Sequence, residues 1–204
     1  MGHIGVDESG KGDYFGYLVV AAVYVDSEEP LIRMGTKDSK MISDFSIKAL
    51  AAKIGKMCPY SIVKISPEKY NSLYGRFKSL NKLLAWGHAR AIENLLGKVK
   101  CDLVVADKFA GENVLKNSLM ELGRKVNLVQ KVNGESDIAV AAASILARSE
   151  FLKTLRQLGR DVGMVLPKGS THVEGAAKEI AKKYGSDMLQ YIAKLHFKVT
   201  KRIT

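Results

Sequence analysis

Cysteine and proline are both scarce in this chain. Its two cysteines, Cys58 and Cys101, lie far apart and form no metal-binding pair, so neither a disulfide framework nor a zinc ribbon is available. Small buried thiols in a reducing cytosol are the expectation. Only four prolines are present, and no Pro/Ser-rich or low-complexity tract interrupts the chain, which argues against a linker between domains. Long hydrophobic runs are missing as well. The apolar stretch YLVVAAVYV (17–25) is too short to cross a bilayer and follows no basic leader, so no membrane contact and a cytoplasmic location are expected. Acids are in deficit: Lys and Arg number 32 against 21 Asp and Glu, a net charge of +11. An excess of that size suits a polyanionic partner, nucleic acid first, or else a solvated basic surface. The four histidines show no zinc spacing, and His3 and His88 read as structural.

What the chain does have is an alternation of short apolar runs and amphipathic segments. Its 204 residues, 47% of them hydrophobic, can bury a sizeable core. One domain over 1–204 is expected, with C-terminal helices from about residue 160. Residues 3–8 and 17–25 read as strands joined by a glycine turn, hence as an antiparallel pair. Further strands are expected at 60–66, 101–107 and 126–132, the middle one with the near-continuous apolar run of a buried strand. Apolar spacing predicts helices over 46–57, 80–96, 138–159, 171–185 and 187–197. An antiparallel start followed by βαβ alternation gives an α/β fold: a mixed sheet with helices on its faces and a helical C-terminal part.

The segment GVDESGKGDYFG (5–16) carries the first chemical signal. It fits the phosphate-loop spacing G-x-x-x-x-G-K, but Gly12 stands where Ser or Thr would hold magnesium. Asp7 and Glu8, inside the loop, would repel the phosphates it should cradle. The alternative is a metal site with a glycine turn beside it. Asp7 and Glu8 close one apolar strand, and Asp107 closes another in LVVADKF. Acids there are costly unless they meet a cation or other partners. Glu135 and Asp137 open the Ala-rich helix, where the dipole favours negative charge. Taken singly, each is an ordinary strand-end or helix-cap acid. Taken together they offer hard oxygen ligands from separate segments, a set that suits Mg²⁺ or Mn²⁺. Two such ions can activate a water and stabilise the leaving oxygen of a phosphodiester.

In order along the chain, DESGKGDYFG, KDSK (37–40), VVADKF, ESDIAVAAASILAR, LPKGS (166–170) and AKLHFK (193–198) resemble the motifs of the type 2 ribonucleases H. The resemblance spans nearly the whole chain and is closer to ribonuclease HIII than to ribonuclease HII. It implies the ribonuclease H-like mixed sheet flanked by helices. It also implies metal-dependent endonucleolytic cleavage of the RNA strand of RNA–DNA hybrids, giving 5′-phosphate and 3′-hydroxyl ends, by a monomeric enzyme using two divalent ions, Mg²⁺ or Mn²⁺. Carried over residue by residue, Asp7, Glu8 and Asp107 become metal ligands. Glu135 becomes the fourth, with Asp137 as its alternative, because the segment before AAAS is one residue shorter than the usual motif. Two residues turn a helix through about 200°, so both cannot face one site from within it.

The same resemblance makes Gly10-Lys11-Gly12 the reader of the RNA strand. Glycines let backbone groups approach a ligand closely, and such groups can read the 2′-hydroxyl. Lys11 replaces the Arg usual in ribonuclease HII and lacks its bidentate fork. Lys37, Ser39, Lys40, Asn81, Lys168 and Ser170 are candidate substrate contacts, those at helix starts favoured for phosphate. Two departures from the family stand out. With the opening acids at residues 7 and 8, no N-terminal accessory domain of the ribonuclease HIII kind is expected. The stretch DVGMVLPKGS (161–170) holds no tyrosine of the kind ribonuclease HII uses at a DNA–RNA junction. A run of ribonucleotides is therefore the expected substrate. The alternatives are a ribonuclease HII-like enzyme acting at single ribonucleotides, a resolvase-like nuclease, and a non-catalytic nucleic-acid-binding module of the same fold.

Overall fold

The computed structural model describes residues 2–36 and 42–203. The elements run β1 (His3–Ser9), β2 (Leu18–Val25), α1 (Glu29–Arg33), α2 (Asp44–Met57), β3 (Tyr60–Ile65), α3 (Pro67–Phe77), α4 (Leu80–Leu96), β4 (Leu103–Asp107), α5 (Glu112–Lys116), β5 (Asn127–Lys131), α6 (Ile138–Val162), α7 (Glu174–Tyr184) and α8 (Leu189–Ile192). The five strands form one sheet in the order β3-β2-β1-β4-β5. β1 pairs antiparallel with β2, and β2 with β3, whereas β1-β4 and β4-β5 are parallel. This is the mixed sheet that the sequence pattern predicts.

Each face of the sheet is closed by one long helix. Ala85, Ala89 and Ile92 of α4 bury against Ile4, Val6, Val20 and Ala22. On the other face, Ala139, Ala142 and Ala143 of α6 meet Val19, Ala21 and Val23, and α2 covers α6 through Ile47 and Ile54. The alanine run exists for close approach. A Cβ on Gly5 would lie 2.0 Å from the carbonyl carbon of Ala139, so any side chain there would push α6 off β1. Farther along, α6 buries Phe151, Leu152 and Leu155, each stabilising by about 1.5–3 kcal/mol. The helix starts at the Asp137 cap and stops at Gly163, whose φ of 69° is left-handed.

Besides the short α1 and α5, which the sequence pattern does not announce, two segments differ from the sequence expectation. α3 was not anticipated, although Ser66 accepts from the Lys69 amide and Pro67 opens the helix; aromatic residues and Gly75 obscure its pattern. The predicted helix at 187–197 is only the short α8, after a 3-10 turn at Ser186–Met188. Beyond it Ala193 is extended and bridges Phe15, and the Lys194 amide donates to the Tyr14 carbonyl at 2.8 Å. The helix ends because its backbone pairs with the loop before β2. Among the described residues no helix is long and apolar enough to cross a membrane.

Candidate active site

The strand period of two separates the two acids of β1. Ile4, Val6 and Glu8 point toward α4, while Gly5, Asp7 and Ser9 point toward α6. Glu8 accordingly meets His88 of α4, whose Nε2 donates to Oε2 at 2.8 Å, and its Oε1 lies 2.7 Å from the Lys11 ammonium. Asp7 is held from the other side by the Ser144 hydroxyl of α6, and its Oδ1 accepts the Glu8 amide at 2.7 Å. β4 runs parallel to β1, with Val6 opposite Ala106, so Asp107 comes one step further, beside Asp7. Both acids therefore stand at the carboxyl ends of adjacent parallel strands, where α/β sheets place their ligand sites.

The fourth wall comes from the turn before α6. Gly134 donates its amide to Asp107 Oδ1 at 2.8 Å, and a Cβ on Gly134 would lie 2.9 Å from Asp107 Cα. Only glycine lets the turn come this close, and the approach delivers Glu135 to the same cavity. That cavity, about 270 Å³, is lined by Asp7, Glu8, Ser9, Gly10, Lys11, Gly12, Asp107, Glu135, Ser144 and Arg148. Asp137 is engaged elsewhere. It caps α6, accepting from the Ala139 and Val140 amides, and it binds His3 Nε2 at 2.8 Å and Lys131 Nζ at 3.2 Å. Burial alone would raise Asp137, but His3, the Val140 amide and Lys131 outweigh it and hold its carboxyl at about 2.

The electrostatics of β1 divide its acids. Burial, and then the Glu8 carboxylate, push Asp7 up to about 8. Burial would raise Glu8 too, but the hydrogen bond and charge of His88, together with Lys11, hold it at about 2. Such a cluster of acids fits a divalent cation. The donors are hard oxygens, Asp7 carries a strain that a cation would relieve, and the Lys11 ammonium already occupies Glu8 as a cation does. Among the described residues, no three His, Cys, Asp or Glu side chains close into a ready-made coordination shell. Their oxygens bind amides, His88 and Lys11 instead.

The family model described as Ribonuclease HII matches residues 4–200. The chain belongs to the ribonuclease HII family. Within that family it is 49% identical over 199 residues to the ribonuclease HIII of Protochlamydia amoebophila, covering 96% of this chain and 66% of that protein. The crystal structure of Bst-RNase HIII in complex with Mn²⁺ superposes with a TM-score of 0.93 at 35% identity, over 100% of this chain and 69% of that one. RNase H3 of Aquifex aeolicus follows at a TM-score of 0.77 and 31% identity, over 96% and 72%. The chain thus spans about two thirds of the length of the relatives it matches.

Not every residue read from the sequence of this ribonuclease HII-family chain reaches the cavity. Gly10, Lys11 and Gly12 line it. Gly10 is glycine for the fold, with φ of 88° and Tyr17 O only 2.1 Å from a would-be Cβ, whereas a Cβ on Gly12 would meet nothing within 4 Å. Lys168 pairs with Asp44 at 2.6 Å, and Asp44 also holds Arg148 at 2.6 Å. Arg148 also lines the cavity of the acids. Gly169, between Lys168 and Ser170, exchanges hydrogen bonds with the segment after Gly12: its amide donates to Asp13 Oδ1 at 2.7 Å and its carbonyl accepts the Tyr14 amide at 2.8 Å. Asn81 lines a separate depression with Phe77, Lys82, Trp86 and Asn113. Lys37, Ser39 and Lys40 lie outside the described residues. A larger groove of about 620 Å³, lined by Leu152, Leu155, Arg156, Met164 and Val165, has Asp44 as its only acid among the described residues.

Sequence reasoning missed His88, Ser144, Arg148 and Gly134. His88 is fully buried, so the structural reading of it was incomplete: it holds a cavity acid. The signal was a histidine on the inner face of α4, between Leu84 and Ile92, where an apolar residue belongs. Ser144 and Arg148 are four residues apart on α6, hence on one face.

Proposed function

We propose that this chain is an endonuclease that hydrolyses the RNA strand of RNA–DNA hybrids and leaves 5′-phosphate and 3′-hydroxyl ends. The observation that carries this reading is the convergence of Asp7, Glu8, Asp107 and Glu135 on one cavity rimmed by Gly10, Lys11 and Gly12. These four acids would hold Mg²⁺ or Mn²⁺; the Mn²⁺ complex of the similar Bst-RNase HIII supports that choice. Two divalent ions bound there supply an activated water and stabilise the departing oxygen of the phosphodiester. Ser144 and the Glu8 amide orient Asp7, His88 orients Glu8, and the Gly134 amide orients Asp107. Oriented ligands of this kind tune a metal site.

The open space at Gly12 gives the 2′-hydroxyl of the RNA strand access to the backbone of the tripeptide. Lys11, Lys168 and Ser170, with Lys37, Ser39, Lys40 and Asn81, supply contacts to the phosphates and sugars, and the net charge of +11 provides the long-range attraction. The preferred substrate in this reading is a run of ribonucleotides; residues 1–204 form one catalytic domain, and the enzyme acts as a monomer in the cytoplasm. Free Cys58 and Cys101 suit that reducing compartment. The test is cleavage of an end-labelled hybrid with Mg²⁺ by the wild type and by Asp107→Asn. The reading expects 5′-phosphate products from the wild type and loss of most activity in the variant. Near-normal turnover of Asp107→Asn would overturn the metal-site assignment.

A further inference from the structure

Lys194 is a fully buried lysine in a segment that sequence patterning predicts as plain helix. Its ammonium donates to the carbonyl oxygens of Asp13 at 2.8 Å and Gly16 at 2.7 Å, with Phe15 O at 3.5 Å. Its own amide donates to Tyr14 O at 2.8 Å, and the Gly16 amide returns a bond to Ile192 O at 2.9 Å. Every carbonyl from Asp13 to Gly16 is thereby tied to this one residue. Asp13 directly follows the tripeptide Gly10-Lys11-Gly12, and its side chain accepts the Gly169 amide. The segment that bears Lys194 is itself clamped: Asn71 of α3 donates to Gln190 O and Ala193 O and accepts the Leu195 amide at 2.9 Å.

Burying an ammonium is costly. Burial pulls Lys194 down to about 7, with Asp13 opposing the shift. A methionine or leucine would fill the same volume at less cost if packing were all that mattered. The lysine has a use that an apolar residue lacks: three N–H donors for the main-chain carbonyls of Asp13, Phe15 and Gly16. Glycine-bounded loops need such fixing. Gly10 and Gly16 both have left-handed φ, 88° and 91°, and glycine leaves a backbone with the most freedom to lose.

We propose that Lys194 is a positioning residue for substrate discrimination. It holds the segment behind Gly10-Lys11-Gly12 at the height from which the tripeptide reads the RNA strand, and it locks that reader to the Lys168–Ser170 turn. The proposal rests on the tripeptide being the RNA reader. Lys194 is not among the residues that line the cavity of the acids, so its loss should blunt discrimination and leave metal binding intact.

The test uses Lys194→Met, which keeps the length without the donors, and Lys194→Gln, which keeps one donor group. Anisotropy in EDTA measures binding to an RNA–DNA hybrid and to the DNA duplex of the same sequence, calorimetry measures Mn²⁺ binding, and circular dichroism checks the fold. The hybrid preference should fall by about tenfold in Lys194→Met, less in Lys194→Gln, with Mn²⁺ affinity unchanged. A merely structural lysine would lower thermal stability and leave the preference as it was. A folded variant with full preference overturns the proposal, and so does failure of both variants to fold, since Lys194 would then be required by the fold alone. Gly12→Ala separates the two claims. If the wild type shows no preference, or Gly12→Ala keeps all of it, the reader itself is wrong. If Gly12→Ala loses the preference and folded Lys194→Met keeps it, only the role of Lys194 is wrong.

Discussion

Replacing Asp7 by Asn should stabilise the metal-free protein while abolishing its chemistry. Asp7 is buried beside Glu8, and its carboxyl is pushed from 3.8 to about 8 by burial first and the neighbouring charge second. Between those values the folded chain keeps a proton that the unfolded chain has released, so stability falls as pH rises through this window and levels off above pH 8. At roughly 1.4 kcal/mol per unit, the full shift corresponds to an upper limit of ~6 kcal/mol. Half of that, ~3 kcal/mol, is a working figure once relaxation and the unfolded ensemble absorb a share. Asn carries no charge at any pH and still offers its oxygen to the Glu8 amide. For a chain of this length the gain is a rise in Tm of about 6–12 °C. The assay is a thermal melt in EDTA at pH 5 and pH 9. The variant should melt well above the wild type at pH 9, with a gap that narrows toward pH 5. Mn²⁺ should raise the wild-type Tm and leave the variant almost unmoved. An equal or lower Tm for Asp7→Asn at pH 9 would refute the argument that the site strains this carboxyl.

Glu135→Gln should remove most cleavage with little change in Tm, whereas Asp137→Ala should cost about 1 kcal/mol or more through the lost helix cap and retain most activity; paired melts and rates check the ranking. Hybrid affinity should fall at least tenfold between roughly 50 and 200 mM salt by counterion release, and a flat salt titration would contradict a phosphate-based interface. A duplex with a short RNA tract should be cut faster under Mg²⁺ than one of equal length with a single ribonucleotide; the reverse order would group the enzyme functionally with ribonuclease HII.

Much of this arrangement could be read from local pattern. The apolar runs of β1, β2 and β4 announced strands, and an acid at the end of a buried run announced chemistry, which is why Asp7, Glu8 and Asp107 stood out together. Local pattern left Glu135 and Asp137 as alternatives because their difference is tertiary. His3 binds Asp137 from 134 positions away, and Gly134 carries Glu135 to Asp107 only because the turn meets β4 without a Cβ in between. His88 carried a weak signal, a polar residue on an apolar helix face, but its target on β1 depends on which sheet face α4 covers. The expected helix at 187–197 failed for the same kind of reason. Its apolar spacing is real, yet from Ala193 onward the backbone and Lys194 bind the loop at 13–16. No periodicity encodes that partnership.

The most direct test of the central claim is cleavage, under Mg²⁺, of three duplexes of one sequence: RNA–DNA hybrid, DNA and RNA. The account predicts cutting of the RNA strand of the hybrid, with both homoduplexes left intact. Equal cutting of the DNA duplex, or tight hybrid binding without cleavage under Mg²⁺ or Mn²⁺, would contradict it.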